Sequence, residues 1–119
     1  MIDDSKPIFI QVAERIENDI VSGVLAEESQ VPSTNEFAAF YRINPATAAK
    51  GINRLVEDGL LYKKRGIGMF VAQGAPHRLR QKRREEFAQQ YIAPLTAEAS
   101  KLGIGLDELI AMIKTGASS

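Results

Sequence analysis

Two helix starts set close together constrain this chain more than any other feature. Ser33-Thr34-Asn35-Glu36 fits a capping box, with Ser33 as the cap and Glu36 reaching back three residues later. It opens a short helix whose inner face is Phe37, Phe40 and Tyr41. After Arg42 and Ile43 comes Asn44-Pro45, a good cap followed by a residue suited to the first helical position. That pair starts a third helix with Ala48, Ile52, Leu55 and Val56 inward and Gly59 at its end. About four residues remain between the two helices, the length of the turn in a helix-turn-helix. In that motif the second helix enters the major groove of DNA.

The flanks fit the same architecture. Pro7 suits the first turn of a helix, and Ile8, Val12, Ile16 and Ile20, with Phe9 and Ala13 beside them, form one apolar stripe closed by Gly23. Residues 24–30 have no helical period and read as a connector ending in a short extended Gln30-Val31, which Pro32 reinforces. Two apolar-bearing runs, Leu60 to Arg65 and Met69 to Val71, flank Gly66-Ile67-Gly68 and predict a β-hairpin with a basic tip. A hairpin placed there reads as a wing, and its glycines let backbone amides approach a phosphate closely. Gln73-Gly74-Ala75-Pro76 reads as a linker. Beyond it a long amphipathic helix carries Phe87, Tyr91, Leu95 and Leu102, with Ala88, Ile92 and Ala99 beside them, and Pro94 should kink or break it. Leu106, Leu109, Ile110 and Ile113 form a last short helix after Gly103 and Gly105. The predicted fold is therefore mainly α with a small β-hairpin: a winged helix-turn-helix over residues 1–75 and a helical dimerisation tail over residues 76–119.

Composition narrows the function. The chain has no cysteine, which excludes disulfides, thiolate metal sites and cysteine nucleophiles. The only histidine, His77, stands beside Pro76 with no nucleophile arrangement around it, and Asp107-Glu108 fit the helix dipole better than a catalytic pair. Nothing calls for a cofactor or a metal, and an enzyme is not expected. The acidic start lacks the pattern of a signal peptide, and no apolar run approaches a membrane span, so a cytoplasmic protein with no membrane partner is expected. Formal net charge is zero, but it is unevenly spread. Residues 1–41 hold Lys6 and Arg15 against eight acids, whereas residues 42–84 hold eleven basic residues against Glu57 and Asp58 alone. A basic block inside a neutral chain can neutralise phosphates locally.

The ordered series Pro7, Ser22-Gly23, Val31-Pro32-Ser33 leading to Glu36-Phe37-Ala38, Arg54-Leu55, Glu57-Asp58-Gly59-Leu60 and Arg65 to Val71 resembles the DNA-binding domain of GntR-family bacterial regulators. Ile43 to Thr47, together with the short tail Leu102 to Leu109, resembles the YtrA-type subfamily, whose members carry only a pair of C-terminal helices. The resemblance implies repression at two-fold symmetric operators, in this subfamily often of genes for ATP-driven transporters. It departs at Asn35, Pro45 and Ala49, where many members carry arginine, so base reading by arginine there does not carry over.

The expected partners are double-stranded DNA and a second copy of the chain. Ala46, Thr47 and Lys50, with Asn44 at the cap, are the outward candidates at the start of the recognition helix; Thr47 offers a hydroxyl and a methyl, and Lys50 a donor for guanine. Ser33 and Asn35 can place amides and side chains against the backbone. Lys63, Lys64 and Arg65 supply the charge of the wing and Gly66 and Gly68 its tip, although strand alternation turns at least one of the cations away. Arg78 to Arg84 either extend the footprint or solvate the linker helix. Phe87, Tyr91, Ile92, Leu95, Leu102, Leu106, Leu109, Ile110 and Ile113 form the expected dimer seam. An unknown small-molecule effector is left open, in a cleft between protomers or between tail and DNA-binding domain. The rival reading is a winged-helix protein-interaction adaptor, which would need an apolar or acidic face on the third helix.

Overall fold

Pro7 precedes the first helix rather than entering it. In the computed structural model, which describes residues 5–117, helix α1 (Ile8–Ser22) has Pro7 as its N-cap and ends at Gly23, whose φ of 87° is left-handed. Val12, Ala13, Ile16 and Ile20 face the core, as the four-residue spacing predicts; Ile8, in the first turn, is exposed.

The capping box of α2 (Thr34–Tyr41) forms in both directions. The Glu36 amide donates to Ser33 Oγ at 3.1 Å and the Ser33 amide donates to Glu36 Oε1 at 3.1 Å. The bond from the Ser33 amide, and after it one from the Ser33 side chain, hold the Glu36 carboxyl below its ordinary value of 4.5. The part of the cap that needs the carboxylate is therefore complete above that value and is lost as acid protonates Glu36 through its lowered pKa. Ser33→Ala should cost about 1 kcal/mol in a thermal or urea melt. The inner face of α2 differs from expectation at one place. Phe37 and Ala38 are buried, whereas Phe40 is 78% exposed. At 3.6 residues per turn, Phe37, Ala38 and Tyr41 share one side and Phe40 falls off its edge. It packs edge-on against Tyr41 instead, with ring centroids 4.9 Å apart.

Helix α3 (Pro45–Glu57) starts on Asn44, whose Oδ1 accepts from the Ala46 amide at 2.7 Å. Ala48, Gly51, Ile52 and Leu55 are buried and Val56 is partly so. Gly59, at φ 76°, turns the chain out of α3, and the Leu60 amide donates back to Leu55 O at 2.9 Å.

The hairpin follows at once. Strands β1 (Leu61–Lys64) and β2 (Gly68–Val71) pair antiparallel, from Leu61 opposite Val71 to Lys64 opposite Gly68. The connector lies along the other edge of β2: the Val31 amide donates to Met69 O and the Val71 amide to Ser29 O, both at 2.9 Å. The expected extended Gln30 is the bridge residue, opposite Phe70.

The linker expected over Gln73 to Pro76 is shorter than the sequence suggests. Ala75 already belongs to helix α4 (Ala75–Phe87) and is fully buried, as is Leu79 one turn on. Pro76 does not prevent this, because a first-turn residue needs no N–H. His77 is thus a residue of the first turn, not of a linker. Arg78 donates to Gly59 O and Arg80 to Val21 O, so both hold α4 to the ends of α3 and α1.

Pro94 neither breaks nor stops the helix. A π-helical turn (Ala88–Ile92) runs directly into α5 (Ala93–Lys101). The Ala93 amide donates five residues back to Ala88 O, and this widened register accommodates the proline. Helix α6 (Leu106–Ala117) follows the Gly103 turn. Packing divides the chain into two compact units, one up to Arg80 and the other from Gln81. The apolar core lies in the first, from Val12 to Leu79.

Candidate nucleic-acid interface

The outer side of α3 carries Ala46, Lys50, Asn53, Arg54 and Glu57, with Thr47 and Ala49 half-buried at its margin. Ala46, Lys50 and Asn53 stand four and three residues apart, on one stripe of the helix. With Phe9 of α1 they line an open groove of about 540 Å³. Lys50 Nζ stands 4.1 Å from the centroid of the Phe9 ring. Among the described residues no ion pair joins Arg54 to Glu57 or Asp58; the pairs present are Lys6–Glu14 and Arg15–Asp19. The face is polar and bears two cations, unlike the apolar or acidic face an adaptor needs.

Two helix N-termini accompany it. Ser33 and Asn35 flank the start of α2, and Asn44 caps α3. The oxygens of Ser33 and Asn44 are taken by the caps, and the Ser33 hydroxyl also bonds to the Glu36 carboxylate, which leaves the Nδ2 donors of Asn44 for a phosphate. Arg42, between α2 and α3, has a left-handed φ of 56°.

The wing turns tightly. The Ile67 amide donates to Lys64 O at 2.9 Å, and Gly66 sits at φ 79°. Gly68 has a second constraint beyond closeness to a ligand: at φ 146° it faces Gln30, whose Nε2 lies 2.5 Å from where a Cβ would be. That amide donates to Ile67 O at 3.0 Å, tying the wing tip to the connector. Lys63, Lys64 and Arg65 are exposed. Tyr62 and Phe70 stack across the strands with centroids 5.9 Å apart, and Lys64 Nζ stands 4.5 Å from the Phe70 centroid. Successive strand residues point to opposite faces, so Lys63 leaves from the side of buried Leu61 and Lys64 from the aromatic side. The Tyr62 hydroxyl donates to the Glu28 carboxylate, which raises its pKa.

In the second unit, Phe87, Tyr91, Ile92, Leu95, Leu102, Leu106, Ile110 and Ile113 are all exposed. Leu109 is buried and so is not open surface in this chain. Met112, exposed beside them, is an apolar residue that the sequence pattern did not single out. Nor did it single out a role at this face for Phe9, Gly51 or Asn53. Asn53 was discoverable, because it lies three residues after Lys50 on the same stripe. The approach of Phe9 was not, because it depends on how α1 crosses α3.

The three helices, the wing and this polar face define a winged helix-turn-helix protein that binds DNA. The chain belongs to the GntR family: the description "Bacterial regulatory proteins, gntR family" matches residues 10–71. It is similar to two short regulators of Bacillus subtilis (strain 168). The repressor YtrA is 26% identical over 92% of this chain and 84% of its own length. The uncharacterised regulator YhcF is 26% identical over 93% and 90%. Other curated relatives are longer, and the chain spans about a quarter of their length. A GntR-family regulator from Bacteroides thetaiotaomicron shares the fold with a TM-score of 0.75 and 32% identity, over 93% of this chain and 96% of that one. The DNA-binding domain of AraR in complex with operator ORX1 aligns at a TM-score of 0.57 and 31% identity, over 60% of this chain and 93% of that one. These relatives are transcription regulators, not enzymes. Among the described residues no helix is long and apolar enough to cross a membrane.

Proposed function

We propose that this regulator is a cytoplasmic homodimer that represses transcription from a two-fold symmetric operator, with genes for an ATP-driven transporter among its targets. Residues 1–75 grip the duplex and residues 76–119 pair the protomers. The observation that carries the reading is the open start of α3, where Lys50 is exposed and Thr47 half-buried among the small residues Ala46 and Ala49, which permit close approach. In this reading Thr47 and Lys50 face bases, and Ala46 and Asn44 let the helix end sit deep in the groove. Ser33, Asn35, Arg65, Gly66, Gly68 and one of the pair Lys63 and Lys64 meet the sugar-phosphate backbone. The AraR domain bound to its operator supports a DNA partner for the first unit, and the repressor YtrA supports the direction of control.

Selection of bound sequences from a random duplex pool tests the reading. It should return an inverted repeat; a single half-site or no enrichment would refute two-fold recognition. Lys50→Ala should then cost about 1–3 kcal/mol on the selected site and relax one position of each half-site. If Lys50→Ala bound both the selected and the random duplex as wild type does, Lys50 would have no part in base reading.

The tail supports pairing because eight of its nine proposed seam residues are exposed apolar side chains, an unusual load for a unit this small. Size-exclusion chromatography with light scattering should give twice the chain mass at micromolar concentration. A small-molecule effector in a cleft that includes the tail would act by changing the distance between the two wings. Thermal-shift screening with and without the selected duplex tests this; no shift across a broad metabolite panel would count against an effector.

A further inference from the structure

We propose that Phe9 is a positioning residue for Lys50: its ring, on α1, holds the lysine's ammonium over the groove before DNA arrives. The inference rests on the base-reading role of Lys50 given above. Lys50 Nζ lies 4.1 Å from the ring centroid, well inside the roughly 6 Å over which an aromatic face attracts a cation.

The pairing is built by the packing of two helices rather than by neighbours in sequence. Gly51, the residue after Lys50, has no side chain, and a Cβ placed there would lie 2.6 Å from Phe9 O and 2.8 Å from Val12 Cβ. Only a glycine lets α3 approach the Phe9 backbone this closely, and the approach puts the ring of Phe9 beside the Lys50 side chain. Phe9 is half-buried, so it is itself held, and the groove wall continues from it through Ala46 and Ala49, whose methyls leave its face uncovered.

A lysine on an open helix face samples many rotamers, and ordering it on a base costs entropy. A lysine already resting on a fixed ring has lost part of that freedom in the free protein. It therefore presents its ammonium at a defined height above the helix. The gain is in discrimination between sequences, because random duplex needs no particular lysine geometry.

Two measurements decide it. In the NMR spectrum of the free protein, the Cε protons of Lys50 should be shifted upfield by the ring current of Phe9, and Phe9→Leu should return them to ordinary values. In binding, Phe9→Leu should weaken the selected duplex about two- to five-fold, the factor a surface cation–π interaction is worth, and leave random duplex unchanged. Phe9→Tyr, which keeps the ring, should retain wild-type discrimination. In a Lys50→Ala background, Phe9→Leu should have no further effect. If Phe9→Leu melts early, Phe9→Met removes the ring with less change of volume, and the same comparison holds. An unshifted Lys50 signal, additive losses in the double variant, or tighter binding by Phe9→Leu would overturn the proposal. Should Lys50→Ala itself leave specificity untouched, the base-reading role fails; should it relax specificity while Phe9→Leu stays uncoupled, only the present inference fails.

Discussion

Gly51→Ala should destabilise the protein by about 2 kcal/mol, although alanine is the better helix former. In the interior of α3 the substitution would normally gain about 1 kcal/mol. Here the new Cβ would fall 2.6 Å from a backbone oxygen of α1 and 2.8 Å from two carbons of Val12. A backbone atom cannot rotate away, so α1 and α3 must separate, and overpacking of that kind costs about 3 kcal/mol. The net loss should lower the melting temperature by about 10 °C. Gly116→Ala is the matched control: it lies in α6 with nothing within 4 Å of the added carbon. There the same change should be neutral or stabilising. Opposite signs in two thermal melts would establish that helix proximity, not helix propensity, governs position 51; a stabilising Gly51→Ala would refute the close packing of α1 on α3.

Affinity for the selected duplex should fall by about 10³–10⁵ between low and physiological salt if the proposed dimer neutralises about eight phosphates. The wing is the largest removable part of that dependence. Lys63→Ala/Lys64→Ala/Arg65→Ala should flatten the slope of log affinity against log salt by about 0.9 for each phosphate the variant no longer neutralises. Because the proposed dimer would present two wings, each residue that meets a phosphate would count twice. Lys63 and Lys64 leave β1 from opposite faces, so the single variants should divide, one flattening the slope by about 2 and the other near wild type. Fluorescence anisotropy at several salt concentrations would read both. A triple variant with an unchanged slope would exclude the wing from the phosphate footprint.

Much of the first unit could be read from residues alone, because its signals are local. A cap must sit within three residues of the amide it satisfies, so Ser33, Glu36, Asn44 and Pro45 mark α2 and α3. Gly66 and the flanking apolar runs mark the hairpin in the same way. The basic segment from Arg42 to Arg84 is visible in composition, and family landmarks spaced along residues 10–71 carry the identification.

What depended on distant parts of the chain was not legible. Phe40 reads as inward because aromatic residues usually are, but the arc of α2 that meets the core runs through Ala38 instead. Residues 73–76 look like a linker from their glycine and proline, yet the core claims Ala75 and Leu79 and draws the helix start forward. Arg78 and Arg80 look like further charge for DNA, while their guanidinium groups reach carbonyls 19 and 59 residues away. Helix ends and turns are short-range events settled by hydrogen bonds to near neighbours, so a string of residues determines them. Which helix face is inside, and which lysine rests on which ring, follows from α1 lying against α3 at Gly51, a proximity that exists only once the chain has packed.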